Sequence, residues 1–153
     1  MIRITKQTDY GIVLLTFLAA APERQVNAPD LATETRLPLP MVSKILKLLV
    51  REGILVSHRG VKGGYGLARL PEEISMAEVI SALEGPIAIT ECIDEHSGCT
   101  HAPFCGVQGR WQRINTALRE ALEGITLAEM AAEQKPSKLV TLGGGRSLFA
   151  GAQ

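Results

Sequence analysis

The chain has 153 residues, 46% of them hydrophobic, and a formal net charge of +0. That length holds one domain with a core, or a small domain plus an assembly arm, and that composition excludes a wholly disordered chain. Aromatic residues are only 4%, which favours a helical core of Leu, Ile, Val and Ala over a β-sandwich.

The zero charge conceals an asymmetry. Residues 1–70 carry ten Lys/Arg against five Asp/Glu, and residues 71–153 carry six against eleven. The positive half suits a polyanion. Near the start, Arg3 and Lys6 precede the apolar run "GIVLLTFLAAA" (11–21), an arrangement similar to a secretion signal. Asp9 beside the run, and its continuation into the next helical pattern, argue against that reading. The run is also too short to span a bilayer. The expectation is a cytoplasmic protein with no membrane partner. An odd number of cysteines, three, argues against a disulfide framework.

In chain order, Thr8 is expected to cap a first helix over about 9–21, ended by Pro22. Asn27 caps a second through "APDLATET", with Pro29 and Asp30 in its first turn. "RLPLP" turns the chain, Pro40 opens a third helix, "MVSKILKLLVRE", and Gly53 closes it. Val42, Ile45, Leu46 and Leu49 form its apolar stripe, away from Ser43, Lys44, Lys47 and Arg51. Two strand-like runs, 54–58 and 64–68, flank "RGVKGG", where three glycines permit a tight hairpin. Helix, turn, helix and a hairpin with a basic tip is the order of a winged helix-turn-helix.

Ser75 and Glu78 make a capping box for "MAEVISALEG". After the cysteine segment, a longer helix over about 107–122 carries the stripe Val107, Trp111, Ile114, Leu118 and Leu122. Thr126 and Glu129 repeat the capping box for a last short helix, and the Gly-rich tail reads as disordered. The fold class expected is mainly α: a winged helix-turn-helix domain (1–85), a cysteine-rich loop (86–106), a helical region (107–133) and a tail (134–153).

A helix in the major groove needs an apolar back and a front of small and basic residues. The third helix supplies Met41, Ser43 and Lys44 near its start for base edges, with Lys47 and Arg51 placed for phosphate. The hairpin tip adds His58, Arg59 and Lys62, and Arg59 beside Gly60 suits a narrow minor groove. For Lys44 and Lys47 alone a solvated face is the simpler reading, and Arg51 has acids nearby. Six positive charges against one over 36–62 lift DNA binding above that alternative.

Cys92, Cys99 and Cys105 are spaced C-x6-C-x5-C. That is neither a zinc ribbon nor a bacterial ferredoxin pattern. Spacing alone leaves three readings open: unligated thiols, a zinc site completed by His96 or His101, and an iron–sulfur cluster with a further ligand. A nucleophilic Cys99/His101 pair is weaker, because no oxyanion device or orienting carboxylate is visible.

The stretches "LPLPMVSKILKLLVREGILVSHRGVKGGYGLAR", "ISMAEVISALEG", the three cysteines and "WQRINTAL" together resemble the IscR/NsrR-type winged-helix regulators, the Rrf-two family. The similarity covers roughly residues 1–133. "ALEGPIAITEC" and "WQRIN" point to the regulators of SUF iron–sulfur assembly. The resemblance implies a non-enzymatic transcriptional regulator, a homodimer on palindromic double-stranded DNA, with its long C-terminal helix as dimer arm. It also implies an iron–sulfur cluster on the cysteine loop that controls DNA affinity. Cys92, Cys99 and Cys105 match the family's cysteine ligands. IscR-like members place a His where this chain has Gln108, a departure. NsrR-like members use an Asp of the opposite subunit within a "TD" pair, which Thr8-Asp9 matches. That set favours a 4Fe-4S over a 2Fe-2S cluster. The alternatives are a nitric-oxide or redox sensor of the same family and a zinc-stabilised module that does not sense.

Overall fold

The computed structural model describes residues 3–91, 93, 99–100 and 104–132. The first helix, α1, runs over Lys6–Ala19 and is capped by Thr5, whose hydroxyl accepts the Thr8 N–H. This corrects the expected start at Thr8. Two threonines three residues apart both suit an N-cap, and tertiary contact decides between them. The Thr8 side chain is fully buried, with its hydroxyl committed to Glu84. Leu14, Leu15 and Leu18 place the apolar side of α1 in the core.

Helix α2 (Ala28–Thr35) starts as expected, with Asn27 Oδ1 accepting the Asp30 N–H at 2.8 Å. It ends at Arg36, whose φ of 56° is left-handed. Helix α3 (Leu39–Arg51) follows, with Pro40 in its first turn, where no N–H is missed. Val42, Ile45, Leu46 and Leu49 are all fully buried. Burial of such side chains contributes about 1.5–3 kcal/mol each, an upper estimate.

Gly53, at φ 74°, turns the chain into strands β1 (Leu55–His58) and β2 (Gly64–Leu67). They pair antiparallel, Leu55 opposite Leu67 and His58 opposite Gly64. Val26 joins the hairpin by two backbone bonds to Tyr65, at 3.1 and 2.9 Å. Gly64 permits this approach, since a Cβ there would lie 2.8–2.9 Å from the Val26 backbone. At the hairpin base, Arg69 donates to the Glu73 carbonyl and the Glu78 carboxylate.

A 3-10 turn (Pro71–Glu73) leads to helix α4 (Met76–Glu84), capped by the expected Ser75/Glu78 box and ended by Gly85 at φ 92°. Helices α1 and α4 pack closely at Gly11, where a Cβ would meet the Leu83 side chain. Helix α5 (Gln108–Glu123) packs on α4, and α6 (Leu127–Ala131) returns to α1. The Leu127 N–H bonds the Ile74 carbonyl at 2.8 Å, and the Leu127 side chain is fully buried in the core with the leucines of α1. The expected tail, 134–153, lies outside the described residues, as do Cys92, His96 and His101. Among the described residues no helix is long and apolar enough to cross a membrane. The result is a mainly helical winged helix with a two-stranded wing.

Candidate nucleic-acid interface and cysteine loop

The apolar stripe of α3 fixes which way its polar side faces. Lys44, Lys47 and Arg51 are exposed, while Ser43 and Met41 are half-buried. Met41 packs partly against the core, so the small and basic side of this helix is better represented by Ser43, Lys44, Lys47 and Arg51. Arg51 Nε lies 2.8 Å from Glu52 Oε1, and both side chains are well exposed. An exposed pair of this kind is worth at most about 1 kcal/mol, so phosphate can displace the carboxylate.

The wing presents His58, Arg59 and Lys62 to solvent. Its tip closes with the Gly63 N–H on the Gly60 carbonyl at 2.9 Å, and Gly60 takes φ 115°. Val61 stands fully exposed between the two cations. A reading based on charge passes over this residue, although minor-groove binders often carry an apolar side chain beside their cations. Recognition helix and wing are mutually fixed because β1 packs against α3 and Ile54 N–H bonds the Leu49 carbonyl.

The cysteine loop joins α4 to α5. Cys99 and Cys105 are free, half-buried thiols. The Cys105 carbonyl accepts the Gln108 N–H at 3.4 Å, so the last cysteine sits at the entrance of α5. Among the described residues no three of His, Cys, Asp and Glu lie together as a metal site. The expected ligand Cys92 is outside them. Asp9 lies in the first turn of α1 and is exposed, with its own N–H on the Thr5 carbonyl.

The start of α1 is locked to the end of α4. Glu84 Oε1 accepts the Thr5 N–H and the Thr8 hydroxyl, each at 2.8 Å. The Thr5 N–H, aided by the threonine hydroxyls and opposed by partial burial, holds the Glu84 carboxyl below the usual glutamate range. Nothing in the local pattern of Glu84 announces this contact, which spans most of the domain's sequence.

Val107 at the N-cap of α5, and Trp111 and Ile114 on it, are 44%, 39% and 51% exposed. Leu118 and Leu122 are half-buried. These two line a cleft of about 540 Å³ with Ile4, Ile80, Ile87 and Ile89. Between the exposed residues and the cleft sits Asn115, a polar side chain only 9% exposed. Its role is invisible in the sequence, where Asn on an amphipathic helix reads as surface.

Comparison with known proteins matches residues 4–133 to the family described as "Rrf2: Iron-dependent Transcriptional regulator". The regulator NsrR of Halalkalibacterium halodurans is 29% identical over 130 residues, covering 84% of this chain and 89% of that protein. The structure of CymR, the global cysteine regulator of B. subtilis, superposes with a TM-score of 0.68 at 28% identity, covering 86% of this chain and 97% of that one. IscR of T. potens gives a TM-score of 0.65 at 27% identity, with 84% and 85% covered. With its winged helix, its basic hairpin and its match over nearly the whole described length, the chain belongs to the Rrf2 family and is a DNA-binding transcriptional regulator, not an enzyme.

Proposed function

We propose that this regulator binds a palindromic operator as a homodimer, holds an iron–sulfur cluster on Cys92, Cys99 and Cys105, and through it controls iron–sulfur assembly (SUF) genes. The observation that carries this reading is the pair of free, half-buried thiols, Cys99 and Cys105, on the loop that enters α5. Unpaired thiols in a regulator are the donors that soft metal centres select. The relatives NsrR and IscR, and the family's description as iron-dependent, point the same way.

The donor set fits a cluster at the two described cysteines. Gln108, at the first position of α5, offers an amide in place of the histidine expected there. An exposed carboxylate at Asp9 is available to a second subunit as an oxygen donor. When bound, the cluster would supply a centre that iron shortage, oxidants or nitric oxide can change. The protein's own residues do the rest: the loop holds the thiolates, α5 receives the end of the loop, and α3 with the wing meets the DNA. Half-sites lie about one helical turn, ~34 Å, apart, so a small change between two recognition helices is felt as affinity. A second reading keeps the site and makes nitric oxide or an oxidant the signal. The exposed Asp9 favours it, because an oxygen donor exchanges more readily than a thiolate.

Anaerobic purification followed by absorbance, iron, sulfide and zinc analysis tests the proposal. The expected result is iron and sulfide in equal amounts, as in a 4Fe-4S centre. Stoichiometric zinc without sulfide would overturn it in favour of a zinc-stabilised module. Asp9→Ala should release the cluster faster than the parent, and His96→Ala and His101→Ala should not. A histidine variant that loses the cluster while Asp9→Ala keeps it would replace the cross-subunit ligand with a local one.

A further inference from the structure

We propose that Asn115 is the positioning residue that couples the cysteine loop to α5, so that changes at the thiols turn the helix instead of dissipating in the connecting chain. The inference rests on the cysteine-loop reading above and deepens it. It starts from one buried amide. Asn115 Oδ1 accepts the Ile89 N–H at 3.2 Å, and Nδ2 donates to the Ile87 carbonyl at 2.9 Å. One side chain thus completes the pairing that a neighbouring strand would give this strap. Asn115 is 9% exposed, so its end of both bonds is largely withdrawn from water, and a lost partner leaves a costly unpaired group.

The position of the strap gives this bond its consequence. Gly85 ends α4, residues 86–89 cross the cleft beside Leu118 and Leu122, and Cys92 follows three residues after Ile89. The far end of the loop enters α5 covalently at Gln108. Both ends of the loop are therefore referenced to one helix, at Gln108 and at Asn115. Those positions are two turns apart, about 10 Å along the axis. A loop anchored at one end absorbs a rearrangement of its thiols by moving its free end. A loop anchored at both ends passes it to the helix. The helix concerned bears the exposed Val107, Trp111 and Ile114, so its direction sets how a second subunit can sit.

The test uses the full chain, anaerobically loaded or cluster-free, and two substitutions. Asn115→Leu keeps the branched shape and removes both bonds. Asn115→Asp keeps an acceptor for Ile89 and places an acceptor against the Ile87 carbonyl. Thr116→Ala, on the exposed side of α5, is the control. The quantity read is the ratio of operator Kd values for loaded and cluster-free protein. The parent ratio should shrink about tenfold or more toward unity in both Asn115 variants and stay put in Thr116→Ala. A merely structural Asn115 would lower the melting temperature and leave the ratio intact, and that outcome overturns the proposal. If the parent itself shows a ratio of one, cluster control has failed, and thiol labelling then decides on the latch. Maleimide labelling of Cys99 and Cys105 in the cluster-free chain should be several-fold faster in Asn115→Leu than in the parent. Equal rates in the folded proteins overturn it.

Discussion

At the scale of single residues, the strongest constraints are polar groups that act over long sequence distances. Glu84 ends α4 and yet holds the first turn of α1 through the Thr5 N–H and the Thr8 hydroxyl. A carboxylate at a helix C-terminus is disfavoured by the helix dipole, so this placement needs the contacts it makes. Its folded-state pKa is lowered, chiefly by the Thr5 N–H. A lowered carboxylate pKa means stability that is complete above the unfolded value, near 4.3, and is lost as pH falls through the folded one. Glu84→Gln should therefore melt at a lower temperature than the parent at pH 7, by an amount equivalent to about 1 kcal/mol for an exposed charge-assisted pair of bonds. The gap should narrow as pH falls below the unfolded value and close as it falls through the lowered folded one. Melting curves that stay equally far apart from pH 7 to pH 3 would show that the ionised carboxylate is not what ties α1 to α4. Since Asp9 is the next residue after Thr8, the same contact fixes where that carboxylate stands.

At the scale of elements, the recognition unit depends on a wing held by three backbone contacts and a basic tip. Gly64→Ala forces a Cβ to within 2.8–2.9 Å of the Val26 backbone, and backbone cannot yield as a side-chain end can. The expected cost is about 1–3 kcal/mol of stability, read as a lower denaturant midpoint, and a parent-like midpoint would remove the Val26–Tyr65 pairing as the support of the wing. Arg59→Ala should instead leave stability unchanged and weaken operator binding by about 1–3 kcal/mol. Equal operator binding would take Arg59 out of the readout. Much of this architecture was legible because its causes are local. The Ser75/Glu78 and Thr126/Glu129 boxes, the Asn27 cap and the α3 stripe each need only residues within one or two turns. The start of α1 was misplaced by three residues because Thr5 and Thr8 are locally equivalent, and Glu84 distinguishes them from across the domain. Val61 and Asn115 escaped for the same kind of reason: one is apolar where charge was sought, and the other is polar on a helix whose burial depends on a distant strap.

At the scale of the whole molecule, the positive first half carries α3 and the wing, and the negative second half carries α5. The basic excess of the first half suits DNA, whereas α5 itself carries Arg110, Arg113 and Arg119 against Glu120 and Glu123, so its surface is set apart by its apolar residues and not by charge. Trp111 at 39% and Ile114 at 51% exposure, with Val107 at 44%, form an apolar run on one side of α5. Runs of this kind mark association surfaces, and the partner that goes with the proposed palindromic operator is a second copy. Trp111→Asp combined with Ile114→Asp places two charges on that run. Because both side chains are substantially exposed within one chain, helix content by circular dichroism should stay close to that of the parent. Sedimentation at micromolar concentration should show a dimer for the parent and a monomer for the variant. Operator affinity should fall on the order of a hundredfold, since the second half-site no longer benefits from tethering to the first. A parent that sediments as a monomer would remove the dimer. A variant that stays dimeric would move the interface off Trp111 and Ile114 and toward the cleft that residues 86–89 line with Leu118 and Leu122.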